Sequence, residues 1–230
     1  MTRFINKKFW ILKMPRYAIF IFVLFNFFAM IFYPGGTLND ANTIGYTFTE
    51  NFFSDLGNSI SYSGQKNTIS FILFNFSLSL CGLTFIILFY SIRSAFDSNL
   101  LTFLATLFGV LGGVSCIGVA LTPANLLLDA HIFFAHGIFR GLCIASILYS
   151  VLIFKNNNIN NKYAYGFIVF GFMVLIYILI SELGPDPREN PAALKLQVVS
   201  QKAIALWLFL SIYFYSIGLG KYLFNRQNDE

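Results

Sequence analysis

The chain has 230 residues, of which 57% are hydrophobic and 11% charged, and its mean hydropathy is +0.70. Soluble domains carry about 25% charged residues, so this composition excludes an ordinary soluble domain and indicates a polytopic membrane protein. The net charge is +5, but five of the 15 Lys and Arg residues precede the first apolar run, where a topology signal belongs. We therefore predict no nucleic-acid partner.

Six apolar stretches are long enough to cross a membrane, whose hydrocarbon core of about 30 Å requires roughly 20 helical residues. The predicted fold class is all-α: an integral membrane protein built as a bundle of six transmembrane helices, with a long first outer loop. The predicted spans are Tyr17–Tyr33, Thr68–Ile92, Leu100–Leu121, Ala130–Phe154, Tyr163–Leu183 and Gln197–Gly220.

Lysine and arginine are distributed unevenly between the two ends of these spans. Ten lie on the side that holds both termini, and three lie in the loops on the other side. Because cytoplasmic loops are enriched in Lys and Arg, we predict a multi-pass protein of the cell membrane with both termini cytoplasmic. The predicted organisation is a basic cytoplasmic N-terminus (1–16), a single transmembrane domain (17–220) and a cytoplasmic tail (221–230).

The fourth span begins with a concentration of ionisable side chains. At 3.6 residues per turn, Asp129, His136 and Arg140 fall within roughly 40° of one another and can form one polar stripe, whereas His131 falls on the opposite side of a regular helix. A charge near the centre of a span costs about 2.5–3.5 kcal/mol, so Arg140 should face protein or water. Most acidic residues and both histidines lie toward the predicted outer face, so a site on this stripe would open outward.

These residues predict an outward-facing polar pocket that binds an anionic lipid or another amphipathic ligand. In this interpretation, Arg140 and Lys202 bind an anionic head group, and carboxylates hold these cations when the ligand is absent. Lys202 has two other predicted roles, which are to extend to the membrane interface or to pair with Asp129 or Glu182. The predicted ligand-binding residues are Asp55, Asp129, His136, Arg140, Glu182 and Lys202.

Three other functions fit the same residues. The first is a metal-assisted hydrolase acting on a lipid or lipid-linked substrate, since His131, His136 and Asp129 could bind zinc. Against it, the two histidines are five residues apart, poorly aligned on a regular helix, and the chain has no third histidine. The second is transport of a small molecule or proton, and the third is a buried ion-pair network that fixes helix register. We predict membrane lipids as partners and favour a protein that is not an enzyme and has no cofactor.

The first outer loop, residues 34–67, is too long to be a simple turn. Its second half mixes phenylalanines with acidic residues and asparagines, which predicts a short interfacial helix that ends at Gly57. Such a helix could rest on the lipid head groups, or it could deliver Ser54 and Asp55 to the mouth of the bundle. The sequence leaves both alternatives open.

The third span contains several small residues at helical spacing. Gly109 and Gly113 form a small-xxx-small pair, which allows a second helix to approach closely. We predict that this surface packs within the bundle rather than in a dimer.

Short motifs in three places resemble a family of prokaryotic membrane proteins known as domain of unknown function 998. The segment 51–57 contains Ser-Asp-Leu-Gly between the first two spans, and Pro123 precedes a histidine, His131, that opens the fourth span. The start of the sixth span, with Gln201 and Lys202, is similar to the family's Gln/Glu-Arg pair, although lysine replaces the usual arginine. The resemblance implies a six-helix bundle and supplies no established reaction.

Overall fold

The computed structural model describes residues 9–225, with side chains for residues 9–220. A π-helical turn, Phe9–Lys13, leads directly into α1 (Met14–Phe32), which is followed by α2 (Thr68–Ile92), α3 (Leu100–Leu121), α4 (Leu128–Lys155), α5 (Lys162–Leu183) and α6 (Pro191–Asn225). All six helices are long and apolar enough to cross a membrane, which confirms the predicted all-α fold class. The predicted basic N-terminus and C-terminal tail lie partly outside the described residues.

Two helices, α1 and α6, begin well before the predicted spans, each for a local reason. The helical path of α1 starts near Phe9, because the residues before Pro15 extend the shortest apolar run. Helix α6 starts at Pro191, six residues early: the Asn190 side chain accepts hydrogen bonds from the backbone N–H groups of Ala192 and Ala193. Proline in the first turn and asparagine as the N-cap together begin a helix at that point.

The six helices form a ring. Each helix packs against its neighbours in the sequence, and α6 returns to α1 to close the ring through a much smaller contact than the other five. We call this weak junction between α1 and α6 the seam. An even number of spans brings both ends of the described chain to the same end of the bundle, and the cytoplasmic location of that end stays a prediction.

Small residues bring α2, α3 and α4 into close contact. A Cβ atom added to Gly82 of α2 would lie 2.6 Å from the carbonyl oxygen of Gly113, and one added to Gly112 would lie 2.6 Å from the Leu142 side chain of α4. Because no Cβ fits at such distances, glycine is needed for these helices to approach. The predicted packing of the third span within the bundle is therefore confirmed.

Residues 33–67, which join α1 to α2, fold into a compact cap over one end of the ring. Isolated bridges pair Gly35 with Ile44 and Ile60 with Lys66. Within the cap, a short 3-10 helix, Phe53–Gly57, ends at the predicted glycine. We call this end of the bundle the cap face.

Polar side chains fix the cap to three parts of the bundle. On α2, Ser70 donates to the Leu56 carbonyl at 3.0 Å and Asn75 to the Gly57 carbonyl at 3.2 Å. On the loops, the Asn125 side chain binds Ser59, and Asn39 of the cap donates to the Pro187 and Arg188 carbonyls. On α6, the Gln201 side chain accepts from the Phe53 N–H at 3.0 Å. These bonds place the 3-10 helix directly above the centre of the ring.

Candidate functional site

Asp55 is a buried carboxylate at the centre of the cap. It is the third residue of the 3-10 helix, and its Oδ2 accepts a hydrogen bond from the Phe52 N–H at 2.8 Å, which caps that helix. The Asn51 side chain donates to the same oxygen at 3.2 Å, and Tyr62 is a further hydrogen-bond partner. Burial raises the pKa of Asp55 to about 6, although these hydrogen bonds and the charge of Lys202 act in the opposite direction.

Lys202 reaches up from α6 into the underside of the cap. Its Nζ donates to the Asn51 carbonyl oxygen at 2.6 Å and lies 4.9–5.4 Å from the ring centroids of Tyr46, Phe48 and Phe53. Three aromatic faces within about 6 Å stabilise a buried ammonium through cation–π attraction. The side chain therefore points into the protein and interacts with the charge of Asp55; its predicted partners Asp129 and Glu182 are elsewhere.

Three tyrosines complete the surroundings of Asp55. Burial raises the pKa values of Tyr33, Tyr46 and Tyr62 well above the usual range for tyrosine, and the negative charge of Asp55 raises them further. The Tyr46 hydroxyl donates to the Asn51 carbonyl at 2.8 Å. These hydroxyls stay protonated at physiological pH, so the charges that meet beneath the cap are those of Asp55 and Lys202.

A cavity of about 110 Å³ lies below the 3-10 helix, in the middle of the ring. All six helices contribute to its walls, which are mainly apolar and include Phe22, Phe74, Cys116, Leu142, Phe170 and Leu208. Phe53 and Ser54 form its roof, and His131 and Gln201 line it near the cap face. Of the two residues that the second alternative for the outer loop brings to the mouth of the bundle, the cap places Ser54 there, whereas Asp55 is buried inside the cap and does not line the cavity.

His131 presents a defined face to this central cavity. The side chain is buried, and its Nδ1 lies 2.7 Å from the Thr122 carbonyl oxygen. Because a carbonyl oxygen only accepts, this bond places the proton of the neutral ring on Nδ1 and leaves Nε2 as a hydrogen-bond acceptor. The Thr122-Pro123 break after α3 provides this carbonyl, since Thr122 is the C-terminal cap residue of the helix.

The three predicted metal ligands are not brought together. His131 faces the cavity, whereas Asp129 and His136 are exposed. A spacing of five residues turns the two histidines to different sides of α4, as the regular helix requires. Within residues 9–220, no three His, Cys, Asp or Glu side chains form a group that could hold a metal ion.

Arg140 pairs with Glu182 on the outside of the bundle. The ion pair links α4 to α5, and the two side chains are 51% and 48% exposed. Neither residue lines the central cavity. The six predicted ligand-binding residues are therefore separated: Asp55 with Lys202 under the cap, Arg140 with Glu182 on the surface, and Asp129 and His136 exposed.

Several residues beside the site were not predicted from the sequence. Asn51 contacts both Asp55 and Lys202, and Tyr46 and Tyr62 surround them. Loop residues carry no periodic signal that would bring them together. Asn26, a buried residue of α1, could have been found from the sequence, because an isolated amide in an apolar span needs a partner inside the protein.

Comparison with known proteins gives one match. Residues 16–219 match a family described as "Protein of unknown function (DUF998)", in agreement with the motifs at Ser54, Pro123 and Gln201. No curated protein and no solved structure shows significant similarity to the chain.

Proposed function

The chain belongs to the DUF998 family of proteins of unknown function, and we propose that it binds an amphipathic, lipid-like ligand in the central cavity between its helices. The observation that carries this proposal is the cavity itself, with apolar walls from all six helices and polar side chains beneath the cap. An apolar body with one polar end is complementary to such a lining.

A void of this size is unusual in a packed helical bundle. Protein interiors are close-packed, and each unfilled cavity reduces stability in proportion to its volume. An apolar cavity of about 150 Å³ is enough to hold a benzene molecule, so about 110 Å³ accommodates a short segment of a hydrocarbon chain. The rest of a lipid-like ligand must extend out of the cavity.

The polar end of the ligand is best matched by an uncharged group. Ser54 supplies a hydroxyl, His131 an Nε2 acceptor and Gln201 an amide, and none of these carries a fixed charge. Both cations predicted to bind an anionic head group face a carboxylate instead, Arg140 in its ion pair with Glu182 and Lys202 near Asp55. The geometry therefore favours the amphipathic ligand over the anionic one.

The other candidate functions receive less support. A metal-assisted hydrolase needs three or four ligands, and the described His, Asp, Glu and Cys side chains form no such group. Ser54 and His131 share the cavity, but no hydrogen bond joins these two described side chains, so nothing activates the hydroxyl as a nucleophile. A mainly apolar wall offers few hydrogen-bond partners to a proton or ion in transit.

A cavity-filling substitution tests the proposal. Ala135 of α4 lines the central cavity, and Ala135→Phe would put a phenyl ring into that space. The matched control is Ala130→Phe, on the same helix at a position that does not line the cavity. Native mass spectrometry of detergent-purified protein would report bound lipid directly.

We expect wild type and Ala130→Phe to retain a co-purifying amphipath and Ala135→Phe to lose it while remaining folded by size-exclusion chromatography. Retention of the same adduct by folded Ala135→Phe would refute binding in this cavity. The absence of any adduct on the wild type, even after incubation with long-chain lipids, would refute the proposed function.

A further inference from the structure

A second depression lies on the membrane-facing side of the seam. It has a volume of about 220 Å³ and runs between α1 and α6, beside the central cavity. Val23, Phe27 and Leu206 on its walls are 55–60% exposed, so the depression opens toward the acyl chains rather than toward water. We call it the seam groove.

The seam groove and the central cavity share a wall of aromatic rings. Phe22, Phe53 and Phe209 line both spaces, and the ring of Phe22 lies 6.0 Å from that of Phe53 and 5.1 Å from that of Phe209, centroid to centroid. Only side chains therefore separate the groove from the cavity at this point. Because α1 and α6 make the smallest contact in the ring, a ligand that passes through the seam disrupts fewer van der Waals contacts than it would between any other pair of neighbouring helices.

One buried polar atom of a residue that lines the groove lacks a partner. Asn26 is 2% exposed, and its Nδ2 donates to the Phe22 carbonyl at 2.8 Å and to the Ser77 hydroxyl at 3.4 Å. Since a carbonyl must accept, these contacts fix the orientation of the amide. The Asn26 Oδ1 remains a buried acceptor without a hydrogen bond from any described residue. Because Asn26 lines the groove, a ligand that donates a hydrogen bond reaches this atom once a neighbouring side chain moves aside.

The other polar wall residue, Lys202, does not make the groove a site for anions. Its Nζ donates to the Asn51 carbonyl, is surrounded by three aromatic rings and interacts with the Asp55 carboxylate. The local charges therefore offset each other, and the unpaired acceptor on Asn26 disfavours a phosphate or carboxylate oxygen. A neutral hydroxyl fits both features, because it needs no net positive charge and can donate a hydrogen bond to Asn26.

We infer that the seam groove is a binding site for the hydroxyl head of an uncharged lipid, held by Asn26 Oδ1, and the lateral route by which this lipid reaches the central cavity. This inference rests on the proposed function, because it names the class of ligand and its path. While the lipid is in the groove, its hydrocarbon chain lies along the apolar wall formed by α1 and α6. The lipid then displaces the Phe22, Phe53 and Phe209 rings to enter the cavity, and its hydroxyl passes from Asn26 to the polar side chains that line the cavity near the cap.

Two probes that differ in one hydrogen-bond donor test the inference. Hexadecanol carries a hydroxyl, whereas its methyl ether has the same chain and no donor. Binding of each to the full-length protein in phosphatidylcholine nanodiscs would be titrated by native mass spectrometry. The variants are Asn26→Leu, which removes the acceptor, and Thr102→Val as the control. Thr102 of α3 also carries a buried oxygen, Oγ1, without a partner among the described residues, but it lines neither the groove nor the central cavity.

We expect wild type and Thr102→Val to prefer hexadecanol over the ether by the same factor, and Asn26→Leu to lose about tenfold of that preference, because the uncharged polar side chains of the cavity are the same in all three proteins. Equal affinities of the wild type for both probes would overturn the inference, because a water molecule then satisfies Asn26, while binding of an amphipath in the cavity would stand. A preference in Asn26→Leu as large as that of the wild type would also overturn it, and would place the hydroxyl at the polar side chains of the cavity. If Asn26→Leu fails to fold, Asn26→Ala removes the same oxygen and decides the question in the same way. Binding of neither probe to the wild type would overturn the proposed function as well.

Discussion

The buried carboxylate of the cap gives the protein a specific dependence on pH. In the unfolded chain, Asp55 takes up a proton only below its ordinary pKa of 3.8, whereas in the folded protein burial raises the pKa to about 6. Between these values the folded state holds more protons than the unfolded state. The contribution of Asp55 to stability therefore falls as pH rises from about 4 to about 6 and then levels off, which is the reverse of the usual behaviour of a paired carboxylate.

The size of the effect follows from the difference of about two pKa units. At 1.36 kcal/mol for each unit, the free energy of unfolding should decrease by about 3 kcal/mol across this range. For a chain of this length, that corresponds to a decrease in Tm of roughly 6–12 °C. Asp55→Asn keeps the shape and an acceptor oxygen but removes this titration, so the decrease should be absent from the variant, and the difference between the two profiles should change by about 3 kcal/mol over the same range.

Thermal unfolding in detergent, followed by tryptophan fluorescence between pH 4 and pH 8, measures this directly. The control is Asp40→Asn, which changes an exposed carboxylate of the same cap and should retain the wild-type slope. The three tyrosines around Asp55 do not interfere, because their pKa values are raised further from this window. An equal slope in wild type and Asp55→Asn would refute the buried environment assigned to Asp55.

Two further predictions concern the cap and the surface ion pair. Gly36 and Gly64 have similar positive φ angles of +83° and +79°, but a Cβ on Gly36 would lie 2.3 Å from the Ser63 nitrogen and one on Gly64 would have no neighbour within 4 Å. Both alanine variants should lose about 1–2 kcal/mol of unfolding free energy through backbone strain. Gly36→Ala should lose about 1–3 kcal/mol more, because its Cβ meets the Ser63 backbone, and thermal unfolding measures the difference. Equal losses in the two variants would contradict this close contact. Arg140→Gln breaks an exposed ion pair outside the cavity, so native mass spectrometry should show unchanged lipid occupancy. Loss of the lipid would show that Arg140 is one of the ligand-binding residues after all.

The helices could be predicted from the sequence because a membrane span is a local property. Twenty apolar residues form a helix in a bilayer whatever surrounds them, and the predicted ends of the second and third spans, at residues 68, 92, 100 and 121, coincide with those of the helices. The close packing at Gly113 and the helix end at Gly57 were predictable for the same reason, since each depends on the absence of a side chain at one position.

The site could not be predicted in the same way, because its members meet through the cap. Helical periodicity correctly places His136 and Arg140 on one face of α4, but it does not say whether that face is directed inward. Lys202 and Asp55 are 147 positions apart, and their proximity depends on how an irregular segment folds. The short Ser-Asp-Leu-Gly motif was informative nonetheless, because it combines a buried carboxylate with the roof of the cavity.

The same two dipeptides build both the polar cluster and the cavity. In the 3-10 helix, Ser54 faces the central cavity while Asp55 is buried in the cap; in α6, Gln201 lines the cavity while Lys202 extends under the cap. The hydrogen bond from the Phe53 N–H to Gln201 joins the two segments. Because each dipeptide serves both structures, a change that releases the cap also removes the roof from the cavity. Ligand binding and cap stability are therefore expected to change together, and Asp55 should affect the ligand without touching it.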